Sequence, residues 1–159
     1  MHEREPGFGP VDLVERGSLS RDFGFVALAD YAPITRHTIP RGTIDLVTNF
    51  IGLHHAPRTK VEAFVASIHD CLRPGGLFVL RDHDVVAPLD DTFVALAHDV
   101  FNAGTDATWA KNAAELRFFL PLEATLAMVE RHGFRRLGPR IAQAGDPTKN
   151  LLVAFERLG

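Results

Sequence analysis

Two adjacent histidines, His54 and His55, lie near the end of the stretch "TNFIGLHHAP", and their side chains could do chemistry. A second set follows in "RDHD", where Asp82, His83 and Asp84 stand together. Asp30 and Tyr31 end an earlier apolar run. Imidazole can carry protons near neutral pH or bind a metal, and a neighbouring carboxylate raises its basicity. A metal centre needs three or four converging ligands. Neighbouring side chains of an extended segment point opposite ways, and no Cys-x-x-Cys or His-x-x-x-His spacing accompanies the pair. No metal site is therefore expected. Three readings of His54 and His55 compete: a metal site with His83, Asp82 or Asp84, which this spacing disfavours; a general base in a substrate pocket; or a loop with one ring hydrogen-bonded and one exposed.

These residues need elements to position them. "TIDLVTNF" reads as a strand, because Ile44, Leu46, Val47 and Phe50 are apolar on both parities, as in a parallel sheet covered by helices. A helix follows, with Val61, Phe64, Val65, Ile68, Cys71 and Leu72 on one stripe. Thr59 and Glu62 are spaced as a capping box at its start. "RPGG" ends it, and "LFVLRD" is a second buried strand from Leu77 to Asp82. Strand, helix and strand form a βαβ unit.

A second helix is expected from Asp90–Thr92 onward, burying Phe93, Leu96, Ala97, Val100 and Phe101, with His98 off that stripe and exposed. Residues 102–120 mix loop and short helix, a length typical of functional segments. Trp109, Phe118 and Phe119 could line an acceptor pocket there or seal the core. A third helix is expected from Pro121 to His132, with Gly133 just past its end. Strands at 134–141 and 150–156, joined by "AGDPTK", suggest an antiparallel hairpin. A short strand at Phe25–Ala29 precedes these elements, and residues 1–24 read as an irregular segment before a domain at 25–159.

The fold class is thus α/β: a mostly parallel sheet ending in a hairpin, with helices on both faces. Ligands of such sheets bind beyond the carboxyl ends of the strands. That rule gathers Asp30–Tyr31, Asn49–His55 and Arg81–Asp84 on one edge. Composition sets outer bounds. The chain has 159 residues, 46% hydrophobic and 23% charged, enough for one domain with a real core. A net charge of −3 gives no reason to expect nucleic acid. The single cysteine, Cys71, excludes an internal disulfide, and no signal peptide or membrane span is apparent, so a cytoplasmic location is expected.

"IDLVTNFIGLHHAP", a helix, then "CLRPGGLFVLRDHD" resembles the middle of a class I S-adenosylmethionine-dependent methyltransferase. "GFRRLGPR…NLLVAFERLG" is similar to that family's closing hairpin. The resemblance implies a three-layer αβα, Rossmann-like fold, present here in part. It also implies S-adenosylmethionine as cofactor and methyl transfer to a small-molecule acceptor. The implied cofactor-binding residues are Asp30, Tyr31, Asn49 and Phe50, and the implied substrate-binding residues are Asp82, Asp84 and Trp109. His54, His55 and His83 are the implied catalytic bases. The family's glycine-rich turn after its first strand is not visible in this sequence. "GFGP" at Gly7–Pro10 lacks a preceding apolar strand. The chain therefore reads as a truncated domain, the family's second half. Its "IDLVTNF" strand would then present an open edge, so self-association or a partner chain is expected. The alternatives are a non-catalytic binding or dimerisation module and, behind it, a metal-dependent hydrolase.

Overall fold

The computed structural model describes residues 24–105 and 107–159. Readings that fall on residues 1–23, including "GFGP", lie outside the described residues. Among the described residues four strands form one sheet: β1 (Ile44–Phe50), β2 (Leu72–His83), β3 (Phe134–Ala142) and β4 (Asn150–Arg157). Their spatial order is β1-β2-β4-β3. β1 and β2 run parallel, whereas β4 is antiparallel to both β2 and β3. The expected βαβ unit and hairpin are both present. The sheet is mixed because β4 inserts between β2 and β3 and so contributes two antiparallel pairs.

Among the described residues four α-helices accompany the sheet: α1 (Val61–Cys71), α2 (Pro88–Gly104), α3 (Trp109–Ala114) and α4 (Leu122–Arg131). β2 starts directly at the end of α1, five residues earlier than the sequence suggested. "RPGG" lies within this strand, and the β1–β2 register is irregular between Ile44 and Leu46. Gly75 has a φ of +74°, and a Cβ on Gly76 would lie 2.8 Å from the Arg73 carbonyl, so both positions need glycine.

The core lies on one face of the sheet. Phe78 and Leu80 of β2 and Val153 and Phe155 of β4 meet Phe64, Val65 and Ile68 of α1 and Leu122, Leu126 and Val129 of α4. Each of these side chains contributes roughly 1.5–3 kcal/mol through burial. On the opposite face Leu46, Phe50 and Leu77 are exposed. Register puts Leu46 beside Leu77 and Phe50 beside Arg81. Helix cover on both faces was expected, but among the described residues one face is well covered.

Other local expectations change too. Phe25–Ala29 holds only an isolated bridge at Ala27. The Thr59–Glu62 capping box does not form. Lys60 occupies the N-cap without a side-chain bond, and Glu62 turns to Arg131. Pro121 caps α4 rather than opening it, and Gly133 beyond its end has a φ of +83°. Most consequential is α2. Phe93, Leu96, Val100 and Phe101 point to solvent, and Val94 is its one buried residue. His98 is half-buried instead of exposed. The helix is rotated so that its polar side faces the protein. An Arg117-centred network holds it there. Arg117 donates to Asp99 (2.7 Å), to the Ala95 carbonyl (3.1 Å), to Asn112 (2.7 Å) and to Glu115 (3.0 Å).

Candidate functional site

Leu53–His55 forms a 3-10 turn beyond the carboxyl end of β1. A turn lets the two rings lie together, 4.1 Å apart, where an extended segment would split them. Ile51, just before it, adopts φ 52°, a strained conformation for a β-branched residue. Its N–H donates to the Arg81 carbonyl at 2.8 Å, which ties the turn to β2.

The turn delivers His54 to the end of β2. His54 Nδ1 lies 2.5 Å from Asp82 Oδ1, and both residues are buried. An ionised carboxylate only accepts, so this nitrogen carries the proton. The His83 backbone N–H donates to the same oxygen at 2.8 Å. Burial pushes the Asp82 carboxyl up, but the His54 hydrogen bond and charge and the His83 N–H outweigh it, leaving it below the usual range. His54 Nε2 is buried without a partner.

His83 turns its Nδ1 to the Thr148 carbonyl, 3.1 Å away in the β3–β4 turn. Its Nε2 lies 3.3 Å from His98 Nε2. Burial, and then the neighbouring histidines, lower the His98 imidazole to about 3, so it is neutral at physiological pH. Burial also lowers His83, although the Thr148 hydrogen bond opposes this. His55 is lowered by burial and by His54, and its Nδ1 donates to the Leu116 carbonyl at 2.8 Å. The Phe119 ring packs against His54, His83 and His98. A cavity of about 240 Å³ opens beside His54, Asp82 and His83, with Phe118, Phe119 and Arg58 in its wall.

The structure thus brings His54, His55, Asp82 and His83 together. Other expected site residues stand elsewhere. Tyr31 is in the core, edge-on to Phe64, with its hydroxyl donating to the Gly52 carbonyl at 2.6 Å. A buried aromatic ring outweighs exposure at a strand end. Asp30 is paired with Lys60. Asp84 accepts the Leu122 N–H at 2.9 Å, so its carboxylate is spent on the first free N–H of α4 and does not line the cavity. Trp109 is 75% exposed at the start of α3, away from both the cavity and the core. Phe50 is exposed on the open sheet face, whereas Asn49 registers with Leu80 on the core side. Asn49 Oδ1 is buried and unpartnered, and a Cβ on Gly52 would lie 2.9 Å from it.

His98 was not among the residues expected at the site, whereas Phe119 was read as lining a pocket or sealing the core and lies against three of its rings. His98 shares no sequence spacing with "LHH" or "RDHD", and its helix stripe pointed the other way. Only the polar residues around it, Asp99 and Asn102, hinted that this side of α2 faces the protein.

The four-stranded mixed sheet with its helices is a partial Rossmann-like α/β fold of the kind found in methyltransferases. Residues 21–80 match the family described as "Methyltransferase domain". The fold is similar to an S-adenosylmethionine-dependent methyltransferase from Mesorhizobium loti, at TM-score 0.55 and 15% identity, covering 94% of this chain and 77% of that one. It is similar to the carbon methyltransferase CurJ, at TM-score 0.59 and 15% identity, covering 94% and 39%. It is also similar to the 1,6-didemethyltoxoflavin-N1-methyltransferase of Burkholderia thailandensis, solved with 1,6-didemethyltoxoflavin and S-adenosylhomocysteine. That match has TM-score 0.52 and 15% identity and covers 75% and 46%. The chain spans less than half the length of the last two. No curated protein matches. Sequence and fold together bear out the resemblance to the class I S-adenosylmethionine-dependent methyltransferase family. No described helix is long and apolar enough to cross a membrane.

Proposed function

We propose that this domain takes part in S-adenosylmethionine-dependent methyl transfer to a small-molecule acceptor. The carrying observation is the buried His54–Asp82 pair at the carboxyl edge of a methyltransferase-type sheet, beside a cavity of small-molecule size. The cofactor's fit to the described residues is partial. Asn49 Oδ1, buried without a partner beside the close backbone approach at Gly52, suits a donor group of the cofactor. Asp30 is engaged by Lys60 and Tyr31 by Gly52, so neither side chain is positioned to hold it. When bound, S-adenosylmethionine supplies an electrophilic methyl group on sulfonium.

This chain's own residues do the rest. Asp82 fixes the Nδ1 proton of His54 and stabilises the imidazolium that forms when Nε2 accepts a proton from an acceptor hydroxyl, amine or acidic C–H. General-base help of this kind is worth about 10²–10⁴-fold in rate. Phe118 and Phe119 exclude water from the cavity wall, which strengthens the pair electrostatically. We further propose that a second copy of the chain covers the β1 edge, where Leu46 and Phe50 are exposed.

Calorimetry with S-adenosylhomocysteine tests the cofactor reading. Binding is expected. Absence of heat at millimolar ligand would show that this chain alone holds no cofactor and would favour a non-catalytic binding module.

A further inference from the structure

We propose that His54, His83 and His98 form a binding site for a divalent transition metal of the zinc class. One ring nitrogen from each of the three lies within 4.8 Å of the others. Three separate elements deliver them: the turn after β1, the end of β2, and α2. The proton assignments leave lone pairs where a metal needs them. His54 Nδ1–H is committed to Asp82 and His83 Nδ1–H to the Thr148 carbonyl, so both Nε2 atoms are bare acceptors. His98 Nε2 could give one proton to His83, at 3.3 Å, but none is then left for His54. His54 Nε2 is the resulting orphan, buried and unpartnered in a residue that is 5% exposed. A cation bound by all three nitrogens satisfies every one of these atoms.

The spacing suits zinc. Zinc–imidazole bonds of about 2.05 Å at tetrahedral angles put ligand nitrogens about 3.3 Å apart, the separation seen between His83 and His98. The outer contacts fit as well. Zinc-bound histidines usually donate their other N–H to a carboxylate or a backbone carbonyl, which fixes the ring and raises its basicity. Asp82 and Thr148 supply one of each. An all-nitrogen set excludes magnesium and calcium, which require oxygen. Three protein ligands leave a fourth position for water or an anionic oxygen.

The inference does not rest on the methyl-transfer reading. Metal and proton compete at His54 Nε2, so a loaded protein cannot use that nitrogen as a base. The test needs neither cofactor nor acceptor. Chelator-treated protein is titrated with Zn²⁺ by calorimetry and with Co²⁺ by visible absorption. The expected results are one ion per chain, the intense visible bands of four-coordinate cobalt, and a raised melting temperature. His98→Ala, on a half-exposed surface helix, should weaken zinc binding by at least about 100-fold while preserving the far-ultraviolet circular dichroism. Asp82→Asn should weaken it by about 10–100-fold. No stoichiometric binding at tens of micromolar metal overturns the site. So does binding that His98→Ala leaves unchanged. Either result leaves the cofactor calorimetry unaffected and therefore judges the metal alone.

Discussion

Asp82 offers the most discriminating perturbation of the fold and the site together. Its Oδ1 accepts two hydrogen bonds, from His54 Nδ1 at 2.5 Å and from the His83 backbone N–H at 2.8 Å, in a buried setting. Asparagine at this position can still present one oxygen to both donors, so Asp82→Asn loses only the charge assistance. Bonds to charged groups contribute about 1.5–3 kcal/mol against about 0.5–1.5 for neutral ones. The expected cost of Asp82→Asn is therefore about 1–2 kcal/mol. Leucine removes the acceptor and strands two buried N–H donors, at about 1–3 kcal/mol each. Urea unfolding followed by circular dichroism at neutral pH measures both variants on the metal-free protein. With typical domain stabilities of 5–15 kcal/mol, Asp82→Leu should visibly shift the midpoint. If both variants cost the same, or Asp82→Leu costs under about 0.5 kcal/mol, the buried His54–Asp82 bond is not what holds this edge together.

Further outcomes follow from single features. Gly133→Ala should destabilise by at least about 1–2 kcal/mol in thermal melts, because φ is +83° and its Cβ would lie 2.7 Å from His69 Nε2. Burial, first of all, depresses His55, His69, His83 and His98 below their ordinary value, so the unfolded chain takes up protons first as pH falls. Stability should be full above about pH 6.5 and decline below it, continuing toward about pH 3 for His98; a melting temperature unchanged between pH 7 and 5 would contradict this. Light scattering after size exclusion should give twice the chain mass, and Leu46→Lys on the exposed edge strand should shift it toward the monomer. If methyl transfer from labelled cofactor is reconstituted, His54→Gln should lower its rate by about 10²–10⁴-fold with little change in cofactor affinity.

Local periodicity was enough to reveal most of the skeleton. β1 was legible from apolar residues on both parities, α1 from its stripe, and α4 and the hairpin from Gly133 and "AGDPTK". These signals depend only on how each segment exposes or buries its own side chains. They also placed His54, His55, Asp82 and His83 at one sheet edge before any coordinates, through the rule that parallel strands carry ligands at their carboxyl ends. α2 shows the limit. Its apolar stripe read as core-facing, yet the Arg117 network rotates Phe93, Leu96, Val100 and Phe101 outward.

What the sequence by itself determined was therefore the order of elements, the family resemblance and the edge where chemistry could sit. Tertiary structure alone decided which residues meet there. Asp82 accepts from a histidine 28 positions away, and His83 bonds a carbonyl 65 positions away. His98 reaches them only because α2 turns its polar side inward. Tyr31, Asp84 and Trp109 leave the site for equally non-local reasons: a core ring contact, a helix start needing an acceptor, and a position on the solvent side of α3, whose Asn112 is the residue turned to α2. Such pairings depend on the packing of whole elements against one another, and no spacing along the chain encodes them.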